Sequence, residues 1–292
     1  ADRADRVNVY DRNGTFLRSI TGIPGDPWGL SIQGNRLAVG SSSPHKVVIY
    51  DINGTFIKEF GELGNGEGEF DQPRGVSFAP NGDLWVADRG NHRVQIFDGN
   101  GTYLRQIGHL AENPGLYWPQ AVAKDLSNYY FSDTGNNRVV VMSQADGSYV
   151  RTIARSGTDP GQVLDPRGIA LDGQGRIYVA DSGNNRVQIF ENNGTYVRSI
   201  GGAEVFSDAW GVAVAKDGTV YVSDSAADCI YIFDSSGNLT GSWGETGNLS
   251  HQLNEPTGLQ IGPEGDLYVA DYANRSIKRF SVSGEIKLHL DL

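Results

Sequence analysis

Short runs of alternating apolar and polar residues recur along the whole chain. Arg186-Val-Gln-Ile-Phe190 and Tyr196-Val-Arg-Ser-Ile200 alternate with period two, the pattern of half-buried strands. Between such runs lie Asn-Gly and Ser-Gly pairs. Both residues of Asn-Gly tolerate positive φ, which makes it a strong signal for a tight hairpin. A second kind of run is more uniformly apolar and ends in Asp. Its copies are Asp83-Leu-Trp-Val-Ala-Asp88, Asn128-Tyr-Tyr-Phe-Ser-Asp133, Arg176-Ile-Tyr-Val-Ala-Asp181, Thr219-Val-Tyr-Val-Ser-Asp224 and Asp266-Leu-Tyr-Val-Ala-Asp271. The terminal aspartates are 45, 48, 43 and 47 residues apart. A sixth copy, Arg36-Leu-Ala-Val-Gly40, is read with Gly in place of Asp.

One unit therefore predicts four strands. Strand a is short and apolar (Gly75-Val-Ser-Phe78), strand b ends in Asp, strand c alternates, and strand d follows the Asn-Gly or Ser-Gly turn. Four strands repeated at this period predict a β-propeller. The complete units span 22–61, 62–108, 109–154, 155–201, 202–244 and 245–292, all in one domain. Residues 1–21 add a partial unit with strands c and d alone, Arg6–Tyr10 and Thr15–Ile20. The expected fold is all-β: six blades of four antiparallel strands, with a surplus c–d hairpin at one terminus. Either terminal hairpin could complete the last blade. The other then stacks on its own blade or pairs with a second copy, head to tail, toward a filament.

The stretch Val86-Ala-Asp88-Arg-Gly-Asn-His92-Arg-Val94-Gln-Ile-Phe97 resembles the NHL repeat, and Asn136-Asn137-Arg138 and Asn184-Asn185-Arg186 fit the same place. The resemblance covers essentially the whole chain. It implies the propeller fold but no single function, because propellers of this kind include sensors, RNA binders, lyases and scaffolds.

Composition narrows the classes. The chain has 292 residues, 39 of them Gly, and a formal net charge of −11. An acidic surface argues against nucleic acid as the main partner. No run of 18 apolar residues is present, so no membrane insertion is expected. No signal peptide is recognisable and the only Met is Met142, so a mature or excised product is expected. A single cysteine, Cys229, excludes an internal disulfide framework and a thiolate zinc site. It stands where other units have Arg at the start of strand c, and is read as a buried small residue.

Seven Asn-x-Ser/Thr sequons occur, at Asn13, Asn53, Asn100, Asn193, Asn238, Asn248 and Asn274. Four are Asn-Gly-Thr at the c–d turn, where a glycan would point into solvent. Glycosylation of several sites implies an extracellular or cell-surface protein.

No catalytic constellation emerges. His45, His92, His109, His251 and His289 are read as occupying different places in the unit, with His92 serving its turn. The aspartates ending strand b are expected to accept backbone N–H groups in their own turns and to pair with the recurring Arg, not to form a calcium ring. The position before each strand a is more informative. It holds Trp28, Arg74, Gln120, Arg167, Trp210 and Thr257, at spacings of 46, 46, 47, 43 and 47. These six are expected to ring the channel mouth. They differ in kind, whereas the Gly or Ala after each hardly varies. Two Trp faces and two Arg forks suit a sugar or a carboxylate. Alternatively, both arginines pair with acidic connecting loops (Glu62, Glu67, Glu69, Asp71; Asp159, Asp165) and the tryptophans only pack. Those loops also suit a cation such as calcium, without a defined ligand motif; no other cofactor is expected. The leading expectation is a non-catalytic interaction or assembly module whose partners are proteins, its own copies included. The alternative is a metal-dependent lyase or lactonase acting in the central channel.

Overall fold

The computed structural model describes residues 6–10, 16–21, 25–108, 115–263, 265–281 and 286–291. Its strands form six sheets. They are the blades of a propeller, spanning 27–60, 73–107, 119–156, 166–201, 209–243 and 256–291. All 26 predicted strands are present. One more pairs Gln162–Val163 in parallel with Arg155 and Ser156. No described helix is long and apolar enough to cross a membrane.

The N-terminal hairpin is the surplus one. Blade six builds its own four strands, and strand Arg6–Tyr10 then pairs antiparallel with Ile286–Asp291, Val7 facing Leu290. Phe16–Thr21 forms the outer edge of a six-stranded sheet. Ring closure is carried instead by packing of blade six on blade one. Tyr268, Ala270 and Ile277 share one apolar cluster with Leu30, Val39, Val48 and Tyr50. Burying each large side chain of this kind contributes about 1.5–3 kcal/mol.

Strands a crowd the axis. A Cβ on Gly258 would lie 2.1 Å from the Trp28 carbonyl oxygen, and one on Gly211 would lie 2.2 Å from that of Thr257. Neighbouring blades approach so closely here that only a hydrogen fits. This constraint explains the Gly beside the variable mouth position in five of the six blades; blade three has Ala121 there.

The register of blade one differs from the sequence reading. Ser41 faces Pro27 as Asp88 faces Pro73, so Ser41, not Gly40, occupies the aspartate position. The five aspartates are fully buried. Asp88, Asp133, Asp181, Asp224 and Asp271 each accept a backbone N–H from the loop leading into strand a of their own blade: Asp71, Tyr117, Leu164, Ser207 and Asn254 donate. Arg93, Arg138 and Arg186 pair with the first three through Nε at 2.7, 2.5 and 2.7 Å. The aspartates thus clamp the loops that form the rim of the mouth.

Candidate functional site

Each blade presents the second residue of strand a at the face that also carries the b–c loops, because strand a begins opposite the end of strand b. A cavity of about 290 Å³ runs along the axis, and Trp28, Arg74, Gln120 and Trp210 line it. The other two predicted residues sit differently. Thr257 is buried, with Oγ1 3.4 Å from the Pro27 and Trp28 carbonyl oxygens, so it belongs to the ring closure. Arg167 donates to both carboxylate oxygens of Asp208, at 3.0 and 2.8 Å, and to Asp165 at 2.9 Å.

The small Thr257 lets the tryptophans of blades one and five meet above it. Trp28 and Trp210 lie 5.0 Å apart between ring centroids, and Tyr272 stands 4.4 Å from Trp28. Trp28 Nε1 donates to Ser42 Oγ at 2.6 Å, which fixes its plane. The Arg74 guanidinium lies over the Trp28 ring at 3.6 Å, and that of Arg167 over Trp210 at 4.6 Å. Arg74 Nη1 donates to Gln120 Oε1 at 2.6 Å. Five mouth residues therefore touch in sequence, Gln120–Arg74–Trp28–Trp210–Arg167.

The two arginines answer the sequence question differently. Arg167 is neutralised by loop carboxylates, as the second reading expected. Arg74 forms no ion pair among the described residues, and its buried Nε has no hydrogen-bond partner. Burial, and then the nearby Arg89 and Arg167, pull its guanidinium below the ordinary arginine value. Arg89 is also pulled down, chiefly by burial; it donates to Gln72 at 3.1 Å and lies over Trp118 at 4.9 Å. Arg89 and Trp118 were not singled out from the sequence. The loop position of each was its only signal.

The remaining candidates serve the scaffold. His45 and His92 occupy the same place, just before strand c, contrary to the sequence reading. Both have positive φ, and each Nδ1 accepts a backbone N–H from the next blade's loop, of Gln72 at 3.0 Å and Trp118 at 3.2 Å. Asn137 does the same for Asp165, and Asp228 for Glu255. His251 is exposed beside Glu245, and His109 lies outside the described residues. Cys229 is buried, and burial pushes its thiol up to about 11. Among the described residues no three His, Cys, Asp or Glu side chains are grouped to hold a metal ion.

The sequons divide. Asn53, Asn100, Asn193, Asn238 and Asn248 are exposed, and Asn238 shares the c–d turn with the Asn-Gly-Thr sites, although the sequence pattern placed it apart. Asn13 lies outside the described residues. Asn274 Nδ2, the atom a glycan would occupy, donates to Gly247 O at 2.7 Å and to Asp271 Oδ2 at 2.8 Å. Asn91 and Asn184 make the matching pair of bonds in their blades, so Asn274 is a clamp residue.

The NHL repeat model matches residues 70–97 and 164–190. The chain is 28% identical over 170 residues to Protein brain tumor of Drosophila melanogaster, covering 57% of this chain and 16% of that one. It is 28% identical over 205 residues to NHL repeat-containing protein 3 of Mus musculus, covering 66% and 47%. The chain thus spans half or less of these relatives' lengths. Among solved structures it is similar to a streptogramin B lyase (TM-score 0.69, 14% identity, 99% of this chain and 87% of that one). A catalytically inactive virginiamycin B lyase of Staphylococcus aureus with quinupristin is similar too (TM-score 0.67, 15% identity, 98% and 88%). At such identities the structural likeness establishes the fold alone. Repeat match, relatives and blade geometry agree: the chain is a six-bladed NHL-repeat β-propeller.

Proposed function

We propose that this propeller is a non-catalytic interaction module displayed outside the cell. One observation carries the reading. The mouth position changes from blade to blade, while the strand-b aspartate and the axial glycine beside the mouth each recur in five of the six blades. A scaffold that varies one inward-facing ring while keeping most of its surroundings constant is built to present that ring. The exposed sequons at Asn53, Asn100, Asn193 and Asn238 support an extracellular setting, since all four lie on c–d turns, at the opposite end of strand c from the mouth. Glycans there leave the mouth free. Self-association is the further part of the reading. Among the described residues the N-terminal hairpin pairs, strand to strand, with blade six alone. The same backbone register can form between copies, because main-chain pairing does not distinguish one copy from another.

The lyase reading has the fold in its favour and requires convergent metal ligands in the channel. Native mass spectrometry of protein from its source tests both. The expected result is glycan mass at the c–d turn sites, none at Asn274, and species of more than one copy. A bare, monomeric chain carrying one tightly held metal ion overturns the proposal.

A further inference from the structure

Arg74 is a half-buried cation in an acidic protein, and among the described residues no carboxylate forms an ion pair with it; Tyr272 and Asp165 favour its charge only without direct contact. The connecting-loop carboxylates of Asp165 and Asp208 pair directly with Arg167 and not with Arg74. Its contacts are the Trp28 ring, Gln120 Oε1 and the more distant Trp210 ring at 5.9 Å. A guanidinium offers five donors, and only one is used here. An unpaired buried donor on a charged group is costly, because it gives up its bonds to water and gains none in return. Arg89 and Arg167 lie close enough to oppose its charge further. Such a site is relieved by an anion. The fork of Arg matches a carboxylate better than it matches a spherical ion. The neighbouring walls are the aromatic faces of Trp28 and Trp210, and the cavity below is about 290 Å³, room for a small molecule and not for a folded chain.

We propose that the channel mouth binds a small organic carboxylate, with Arg74 as its anchor and Trp28 and Trp210 as the platform for its carbon skeleton. The assignment rests on the reading of the mouth as a binding site and names its ligand class. Gln120 holds the guanidinium in place from the far side. Arg167 is already neutralised by Asp165 and Asp208, so it shapes the platform and contributes little attraction.

The test titrates the purified protein with D-glucuronate, D-glucose and inorganic phosphate, read by tryptophan fluorescence and calorimetry. Glucuronate binds saturably, and glucose and phosphate at least about tenfold more weakly, one decade being about 1.4 kcal/mol. Arg74→Gln weakens glucuronate binding by about tenfold or more, as expected for loss of a charge-assisted pair. Arg74→Lys falls between, keeping the charge without the fork. Arg167→Gln changes affinity less than about threefold, since a neutralised pair adds little. Should Arg74→Gln fold poorly, Gln120→Glu provides the second arm. It sets a carboxylate against Arg74, raises the melting temperature and blocks glucuronate. Binding that is absent at about 20 mM (an affinity under about 2.3 kcal/mol), equal for glucose or phosphate, or indifferent to Arg74→Gln and Gln120→Glu overturns the assignment. Neither arm depends on glycans, copies or metal, so its failure is distinct from failure of the extracellular-module reading.

Discussion

Blades four and five solve one problem in two ways. In blade four, Asp181 is surrounded by side chains: Asn184 Nδ2 at 2.9 Å, Arg186 Nε at 2.7 Å and Gln188 Nε2 at 2.9 Å, with one loop N–H, from Leu164. In blade five the matching positions are Ala227, Cys229 and Tyr231. Asp224 is held by backbone instead, through the N–H groups of Ser207, Asp208, Ala226 and Ala227 at 2.7–3.2 Å. The loops explain the exchange. Arg186 Nη2 reaches on to the carbonyl oxygens of Asp159 and Gln162, as Arg93 does to Gly66 and Glu69. Before blade five the loop is only residues 202–208, closed on itself by N–H groups of Val205 and Phe206 bonding to Gly202. No extended loop is left for a cation to hold. In blade six the loop is long again and the cation returns, as Lys278, 2.6 Å from Asp271 and bonded to Leu249 O. The cation follows the loop, and the aspartate is required in both cases.

The comparison is broken most severely by removing the acid. Asp181→Ala strands the largely buried Arg186 and the Leu164 N–H together, and is expected to cost about 3–5 kcal/mol. Asp224→Ala strands backbone donors but no cation, and is expected to cost about 2 kcal/mol. Denaturant melts of the two variants measure the difference; equal losses would show that the cation adds nothing to the clamp. A milder exchange swaps the partners. Arg186→Cys leaves Asp181 three donors and is expected to lose about 2 kcal/mol, chiefly through the freed loop carbonyls. Cys229→Arg brings a guanidinium to a site without loop acceptors and is expected to lose about 1 kcal/mol by overpacking. A stabilised Cys229→Arg would refute the dependence on loop length.

These two blades also mark how far the sequence could be read. Period and turn chemistry located every strand except the short Gln162–Val163, because alternation and Asn-Gly pairs are local signals. The mouth ring was legible from spacing alone. Of the partners of Arg167, Asp165 was legible, two residues before it, and Asp208 was not, because it arrives from another loop. Asp208 reaches Arg167 across 41 residues, and no pattern in the chain links them. Arg74 and Arg167 look equivalent in sequence, both in Pro-Arg-Gly, yet among the described residues only Arg167 pairs directly with loop acids. Asn274 shows the opposite failure. Its place three residues after the strand-b aspartate, shared with Asn91, Asn136 and Asn184, was a readable clamp signal, and the overlapping Asn-Arg-Ser sequon obscured it. In blade one, a single step in the register separated Gly40 from the true aspartate position at Ser41.

The smallest effect sharpens the comparison at Cys229 itself. Burial raises its thiol from 9.0 to about 11, with Asp224 and Asp228 adding to the shift and Tyr231 opposing it. The unfolded chain therefore loses this proton at lower pH than the folded one. Below about pH 8 the thiol is neutral in both states and contributes no pH dependence. Between about pH 9 and 11 the unfolded state alone forms thiolate, so stability falls as pH rises through that window. Cys229→Val removes this contribution while keeping a small apolar side chain. The difference in stability between the two proteins is expected to be flat to about pH 8 and to shift in favour of Cys229→Val above pH 9. Alkylation gives the matching kinetic result: at pH 8 the folded protein reacts with iodoacetamide much more slowly than the denatured chain. A difference curve that stays flat to pH 11, or a thiol that alkylates at the unfolded rate, would show that blade five leaves its thiol open to water, and that the backbone clamp of Asp224 does not seal the blade as the arginine clamp of blade four does.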